Sequence, residues 1–203
     1  ANISGVTLLT VNSLNISDLT GVEDFTALTD LFCSGNLLQS LDLSNNTLLT
    51  FLYCTGNQLT SLDVSNNTLL TSLSCSGNQL TSLDVSNNTA LFALNCRENP
   101  PLTSLDVSNC TALYELFTMF GQLTSLDVSS CTALTVLECN NNQLMSLDVR
   151  NGNNINFLLF LSNNNPNLNC ISVDDASWST TNWANIDAHT IFLDDCASFV
   201  ALD

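Results

Sequence analysis

The sequence predicts a single, mainly β solenoid of short repeats closed by a distinct C-terminal cap, and three observations predict it. The first is a fixed period. Leu-Asp followed by Val or Leu places aspartates at 42, 63, 84, 106, 127 and 148, in steps of 21, 21, 22, 21 and 21 residues. A period in the low twenties marks a coil in which each turn stacks on the next and none buries its apolar face alone. The second is content: 45% of the 203 residues are hydrophobic, enough for one continuous core. The third is an abrupt end to the repeat near residue 166, where a polar segment carrying both tryptophans begins.

The elements follow in order. Residues 1–27 form an N-terminal flank with a degenerate first turn, in which Val6, Leu9, Val11 and Ile16 keep the spacing and Leu14 takes the asparagine slot. Residues 28–165 hold the repeats, each following L-x-x-L-x-L-x-x-N-x-L, as in Leu49, Leu52, Cys54, Asn57 and Leu59. The pattern recurs from Leu28, Leu70, Leu91, Leu113 and Leu134, and the 22-residue step reflects the extra proline in Asn99-Pro100-Pro101. Leu59, Leu62, Val64, Leu70, Leu73 and Cys75 point inward. They stack on their counterparts one turn away, about 4.8 Å along the axis. Asn36, Asn57, Asn78, Asn99, Asn142 and Asn163 turn their amides inward to satisfy backbone groups where each strand ends; Gly121 breaks this column, so a looser turn is expected there. Residues 166–203 form the cap. DASWSTTNW reads as a short helix capped by Asp174 or Asp175 with Trp178 packed down, while Val173, Trp183, Ile186, Ile191 and Phe192 shield the last leucine layer and its strand edges.

With these motifs the chain resembles the leucine-rich repeat proteins, in particular secreted repeat proteins of Bacteroidetes that look like shortened internalins. The resemblance covers nearly the whole chain, and NISDLTGVEDFTALTDLFCSGN and NPNLNCISVDDASWSTTNWANIDAHTIFLDDC are similar to the flanks of that group. It implies a parallel concave sheet with short strands or 3-10 turns on the convex side. It also implies export and retention at the cell surface, often through a separate sorting domain. No such domain follows Asp203, and the chain opens at Ala1 with neither methionine nor signal peptide, as expected of a mature or trimmed fragment.

Charge narrows the partners. Nineteen acidic residues face only Arg97 and Arg150, for a formal charge of −17. Nucleic acid and anionic membrane surfaces are poor partners, because phosphate recognition needs clustered Lys or Arg. No apolar run approaches the roughly 18 residues that would span a bilayer. A protein or carbohydrate ligand remains, as does a dimer.

Cysteines fall into three groups. Cys33, Cys54, Cys75, Cys96 and Cys139 share an inward slot where Thr118 and Phe160 substitute, which marks a packing slot; metal binding by this column is the sharper alternative. Cys170 and Cys196 flank the terminal segment and are expected to form a disulfide that staples the cap, suited to an oxidising compartment. Cys110 and Cys131 replace asparagine in the N-N-T corner of consecutive turns; they could bridge, although neighbouring strands strain such a bond.

No catalytic constellation is present: there is no lysine, His189 is alone, and G-x-S-x-G and phosphate loops are missing. The protein is expected to be non-enzymatic and without a cofactor, calcium along Asp42, Asp63, Asp84, Asp106, Asp127 and Asp148 being the one alternative, because like charges repel along that ladder. The outward positions of the strand ending in Leu-Asp-Val barely change, as in Thr60, Ser61 and Asp63 against Thr81, Ser82 and Asp84. On the other strand they differ in every turn, from Asp30, Phe32 and Ser34 to Phe157, Leu159 and Leu161. The candidate ligand-binding residues on this variable, concave face are Phe32, Phe51, Tyr53, Asn95, Arg97, Glu115, Phe117, Met119 and Glu138. Exposed aromatics and arginine are typical of binding hot spots. The sequence thus predicts a secreted or cell-surface recognition or adhesion module. A structural spacer is the alternative, and an ice- or mineral-surface binder a lesser one, given the flat Thr-Ser-Asp ladder.

Overall fold

The computed structural model describes residue 3 and residues 5–198. The outermost parts of the N-terminal flank and of the cap lie outside the described residues. Among the described residues twelve strands of three residues each run in chain order: β1 (Leu8–Thr10), β2 (Asp30–Phe32), β3 (Phe51–Tyr53), β4 (Ser72–Ser74), β5 (Ala93–Asn95), β6 (Glu115–Phe117), β7 (Ser125–Asp127), β8 (Val136–Glu138), β9 (Ser146–Asp148), β10 (Leu159–Leu161), β11 (Cys170–Ser172) and β12 (Ile191–Leu193). They form two parallel sheets. The larger has the order β1-β2-β3-β4-β5-β6-β8-β10 and the smaller β12-β11-β9-β7.

Every rung of the larger sheet is in register, so like residues stack: Leu31 pairs with Leu52, Leu52 with Leu73, and Leu94 with Leu116. The burial pattern of the internal strands is one buried residue between two that face outward. Inside, Leu28, Leu49, Leu70, Leu91, Leu113 and Leu134 are fully buried. Each buried leucine contributes about 1.5–3 kcal/mol of transfer energy, available only because the next rung covers it.

Asparagines close each rung. Asn78 Nδ2 donates to Cys54 O at 3.1 Å and Cys75 O at 2.9 Å, while its Oδ1 accepts from Leu59 N at 3.0 Å. Asn57, Asn99 and Asn142 repeat this pattern. Where Gly121 interrupts the column the rung-to-rung hydrogen bonds are longer, 3.2 Å from Gly121 N to Asn141 O against 2.8 Å from Gly56 N to Ser76 O. A Cβ there would lie 2.8 Å from Asn142 Oδ1, so the missing side chain leaves room for the closing asparagine of the next rung. A second buried column, Asn46, Asn67 and Asn88, donates to two carbonyls each from the N-N-T corner. Their Oδ1 atoms are buried without a partner.

The last repeat departs from the expected register. Leu159, Phe160 and Leu161 pair with Val136, Leu137 and Glu138. Phe160 therefore occupies the leucine slot and buried Ser162 the cysteine slot. Asn165, not Asn163, is the closing asparagine, accepting from Leu144 N at 3.1 Å and donating to Cys139 O and Ser162 O. Phe157 is not outward-facing: it packs partly buried against the core, its ring 5.3 Å from that of Trp183. The cause is a longer loop, with a 3-10 turn at Asn154–Asn156, that delays the strand by two residues.

The cap continues the coil. β11 pairs with β9, and β12 with β11, so the smaller sheet runs on past the repeats. Helix α1 (Ala176–Asn182) starts at Asp175, whose carboxylate accepts from Trp178 N at 2.9 Å. Trp183 stacks on Phe160 at 4.2 Å and covers the end of the core. A disulfide joins Cys170 to Cys196. Cys110 and Cys131 do not bridge; both are buried free thiols.

Candidate functional site

The larger sheet is laid out in columns, because parallel register carries each outward position straight across the rungs. One column reads Phe51, Ser72, Ala93, Glu115 and Val136; the next reads Phe32, Tyr53, Ser74, Asn95, Phe117 and Glu138. Large side chains stand on both sides of two rungs with short ones, and a shallow dish of about 250 Å³ results. Its floor is Ser72, Ser74 and Ala93, and Tyr53, Asn95, Glu115 and Phe117 line its sides.

The Tyr53 wall and the floor are held in place. Phe32 meets the Tyr53 ring edge-on at 5.2 Å, and Ser72 Oγ donates to Tyr53 Oη at 3.2 Å. Thr55 Oγ1 and Ser74 Oγ share a hydrogen bond of 2.8 Å, and Ser76 Oγ donates to Thr55 Oγ1, so the hydroxyls form a fixed row. Asn95 Oδ1 accepts from Arg97 N at 3.4 Å, which keeps the amide beside the strand.

The nine candidate residues all fall on this face, but they separate into roles. Tyr53, Asn95, Glu115 and Phe117 meet at the dish. Phe32 buttresses Tyr53, and Phe51 is the most open ring of this set at 39% exposure. Arg97 lies beside Glu98, its Nε 3.7 Å from Oε1. Met119 follows Phe117 in the same rung and Glu138 stands beside Phe117 in the next; both are half-buried and neither lines the dish. The sequence reading missed two features. It left the small residues of the floor out of the site, and it passed over Phe92 and Tyr114, whose rings stack at 4.9 Å and 6°. Those two replace the threonines of one column, Thr29, Thr50, Thr71 and Thr135, which otherwise hydrogen-bond to the preceding rung. That break was visible in the repeat alignment.

The aspartates of the ladder are engaged by their own backbone. Among the described residues no group of three or more His, Cys, Asp or Glu side chains could hold a metal. Each carboxylate instead turns back on its own chain: Asp42, Asp63, Asp84, Asp106 and Asp127 accept from the backbone N–H of the serine two residues on, at 2.8–2.9 Å. Hydrogen bonds to the serine hydroxyl and amide hold Asp63 and Asp84 below the ordinary carboxylate range, and the same serine amide and hydroxyl do so for Asp42 and Asp106. Burial pushes the Asp148 carboxyl up, but its hydrogen bonds to the Arg150 side chain and amide, with the guanidinium charge, outweigh that and hold it low.

No family model matches the chain, and no curated protein matches it by sequence. Solved structures do. The functional domain of InlJ from Listeria monocytogenes, which includes a cysteine ladder, is 34% identical, with a TM-score of 0.70, over 84% of this chain and 44% of that one. This chain is a leucine-rich repeat solenoid. Internalin C2 from the same species is similar at 19% identity over 94% of this chain and 81% of its own, with a TM-score of 0.70. So is the leucine-rich repeat ectodomain of the Arabidopsis thaliana receptor kinase GASSHO1/SCHENGEN3, solved in complex with Casparian strip integrity factor 2, at 19% identity over 95% of this chain and 24% of that one, with a TM-score of 0.73. These last two show the fold alone. The chain spans 44% of the length of the InlJ domain.

The cysteine column of this leucine-rich repeat is a packing feature. Cys33, Cys54, Cys75, Cys96 and Cys139 are buried free thiols. Burial pushes Cys33, Cys96 and Cys139 up to about 12, and Cys54 and Cys75 well up, so none offers a thiolate near neutral pH. No helix among the described residues is long and apolar enough to cross a membrane.

Proposed function

We propose that this leucine-rich repeat is a non-catalytic recognition module, exported to an oxidising environment, which binds a protein on the variable face of its larger sheet. One observation carries the reading: the fixed dish between Tyr53 and Phe117, floored by Ser72, Ser74 and Ala93, on the face whose residues change from rung to rung. A surface under purely structural demand repeats, as the Thr-Ser-Asp ladder of the opposite strand does. The Cys170–Cys196 disulfide supports an extracellular location.

Peptide display against the immobilised protein tests the reading. Selected peptides are expected to lose at least about tenfold in affinity, roughly 1.4 kcal/mol, on Tyr53→Ser or Phe117→Ser, as for hot-spot aromatics. Equal binding to wild type and both variants would overturn it and leave the spacer role. A glycan array and sedimentation analysis run beside it report a carbohydrate ligand or a second copy of the chain in its place.

A further inference from the structure

Resting on that recognition reading, we propose that the dish receives a cationic side chain, the guanidinium or ammonium group of a basic segment in the protein partner. Three independent features point there. Both walls are aromatic and one is rigid: Tyr53 is held by Phe32 on the side away from the dish and by Ser72 at its hydroxyl. Such a ring offers a fixed π-face to a cation.

The second feature is charge. Glu115 lines the dish, and Glu138 follows Phe117 in the next rung of the same column. Among the described residues neither forms an ion pair, because both arginines of the chain are engaged elsewhere: Arg97 with Glu98, and Arg150 with Asp148 and Asp195. Among the described residues the carboxylate in the dish therefore has no cationic partner, and the formal charge of −17 draws basic partners to the molecule. The third is the donor and acceptor balance. Ser72, Ser74 and Asn95 present hydroxyl and amide oxygens beside that carboxylate, the acceptors that a guanidinium or ammonium group, which only donates, requires. A neutral sugar would stack on the rings and donate its hydroxyls to Glu115, but it brings no positive charge to meet the carboxylate.

Nuclear magnetic resonance titration with N-acetyl-L-arginine amide tests the proposal, with N-acetyl-L-citrulline amide as the neutral compound of the same shape. The resonances of Tyr53, Glu115 and Phe117 are expected to shift saturably with the arginine probe, and the citrulline probe is expected to bind about tenfold more weakly, the worth of a cation–π contact with a charge pair. Glu115→Gln weakens the arginine probe by about fivefold, as an exposed ion pair does, and leaves the citrulline probe unchanged. Asp106→Asn, in the aspartate ladder, changes neither. Equal binding of the two probes, shifts centred on the aspartate ladder, or no saturable shift overturns the proposal. Its failure is separable from that of the parent reading: displayed peptides that require Tyr53 and Phe117 but carry no Arg or Lys overturn this inference alone.

Discussion

Tyr53 and Phe117 stand in one column of the larger sheet, separated only by Ser74 and Asn95 in the rungs between them. At about 4.8 Å per rung their backbones lie roughly 14 Å apart, wide enough for a side chain to enter between the rings. The gap is made by what is small, not by what is large.

Filling the floor should therefore remove binding without harming the fold. Ala93 lies half-buried in a column that accepts a phenylalanine at position 51. Ala93→Phe is expected to lower the affinity of display-selected peptides at least about tenfold, as loss of a hot-spot pocket does. Its melting temperature should stay within about 2 °C of wild type, the range of surface substitutions.

The two asparagine columns should respond differently to substitution. Asn78 makes bonds with both its amide nitrogen and its oxygen, and Asn78→Ala strands three buried backbone groups; a loss of about 3 kcal/mol in urea unfolding is expected. Asn67 spends only its nitrogen and keeps an unpartnered buried oxygen, while the corresponding corners two and three rungs on hold Cys110 and Cys131. Asn67→Cys should cost about 1 kcal/mol or less, since it removes the orphaned acceptor with its donor.

One turn position is left-handed in successive rungs, and glycine fills it at 35, 56 and 77 with φ of 67°, 65° and 60°. Glu98 sits there at φ 55° with an exposed side chain. Glu98→Gly is expected to raise stability by about 0.5–1 kcal/mol, read as a rise of about 1–3 °C in melting temperature.

The disulfide closes a segment with a sequence separation of 26 residues. By loop-closure entropy, replacing both cysteines with serine should cost about 3–4 kcal/mol. Hydrogen exchange should show the loss first at β12 and β11, the strands that this bond ties down.

Stability should fall at both ends of the pH scale. Asp42, Asp63, Asp84 and Asp106 titrate below the ordinary 3.8 when folded, so their contribution is present above that value and is lost as pH drops through the folded values. Cys33, Cys96, Cys131 and Cys139 titrate near 12 against an ordinary 9.0, so theirs is present below pH 9 and fades as pH rises from 9 toward 12. Melting temperatures across that range should form a plateau between the two losses, and iodoacetamide at pH 8 should leave these thiols unmodified until the protein unfolds.

Repetition explains what was legible in the sequence. Leu52, Cys54 and Asn57 meet the same demand as Leu73, Cys75 and Asn78, so the core, the closing asparagines and the outward columns could be read by comparing turns. Register in the last repeat could not. Phe157 to Leu161 is an unbroken apolar run, and a strand alternates with a period of two residues, so a slip of two leaves the pattern looking the same. The extent of the smaller sheet was equally hidden: Ser61-Leu62-Asp63 and Ser125-Leu126-Asp127 are identical and both read as strands, yet only the latter is one, because its neighbour β9 is extended in turn by the cap. The dish was half visible, since pattern reading favours large side chains and its floor is made of small ones.

The placement of the one covalent link gives the molecule a direction. Cys170 and Cys196 fasten the β12 end, while the β1 end is held by non-covalent stacking alone. In a coil whose rungs touch only their neighbours, loosening is passed along like a dropped stitch, and it runs inward from the unfastened end. Tyr53 lies only two strands in from that end, and Phe117 lies deeper. Fraying thus reaches one wall of the dish before the other, and a ligand gripping both would act as a second clasp on the fabric.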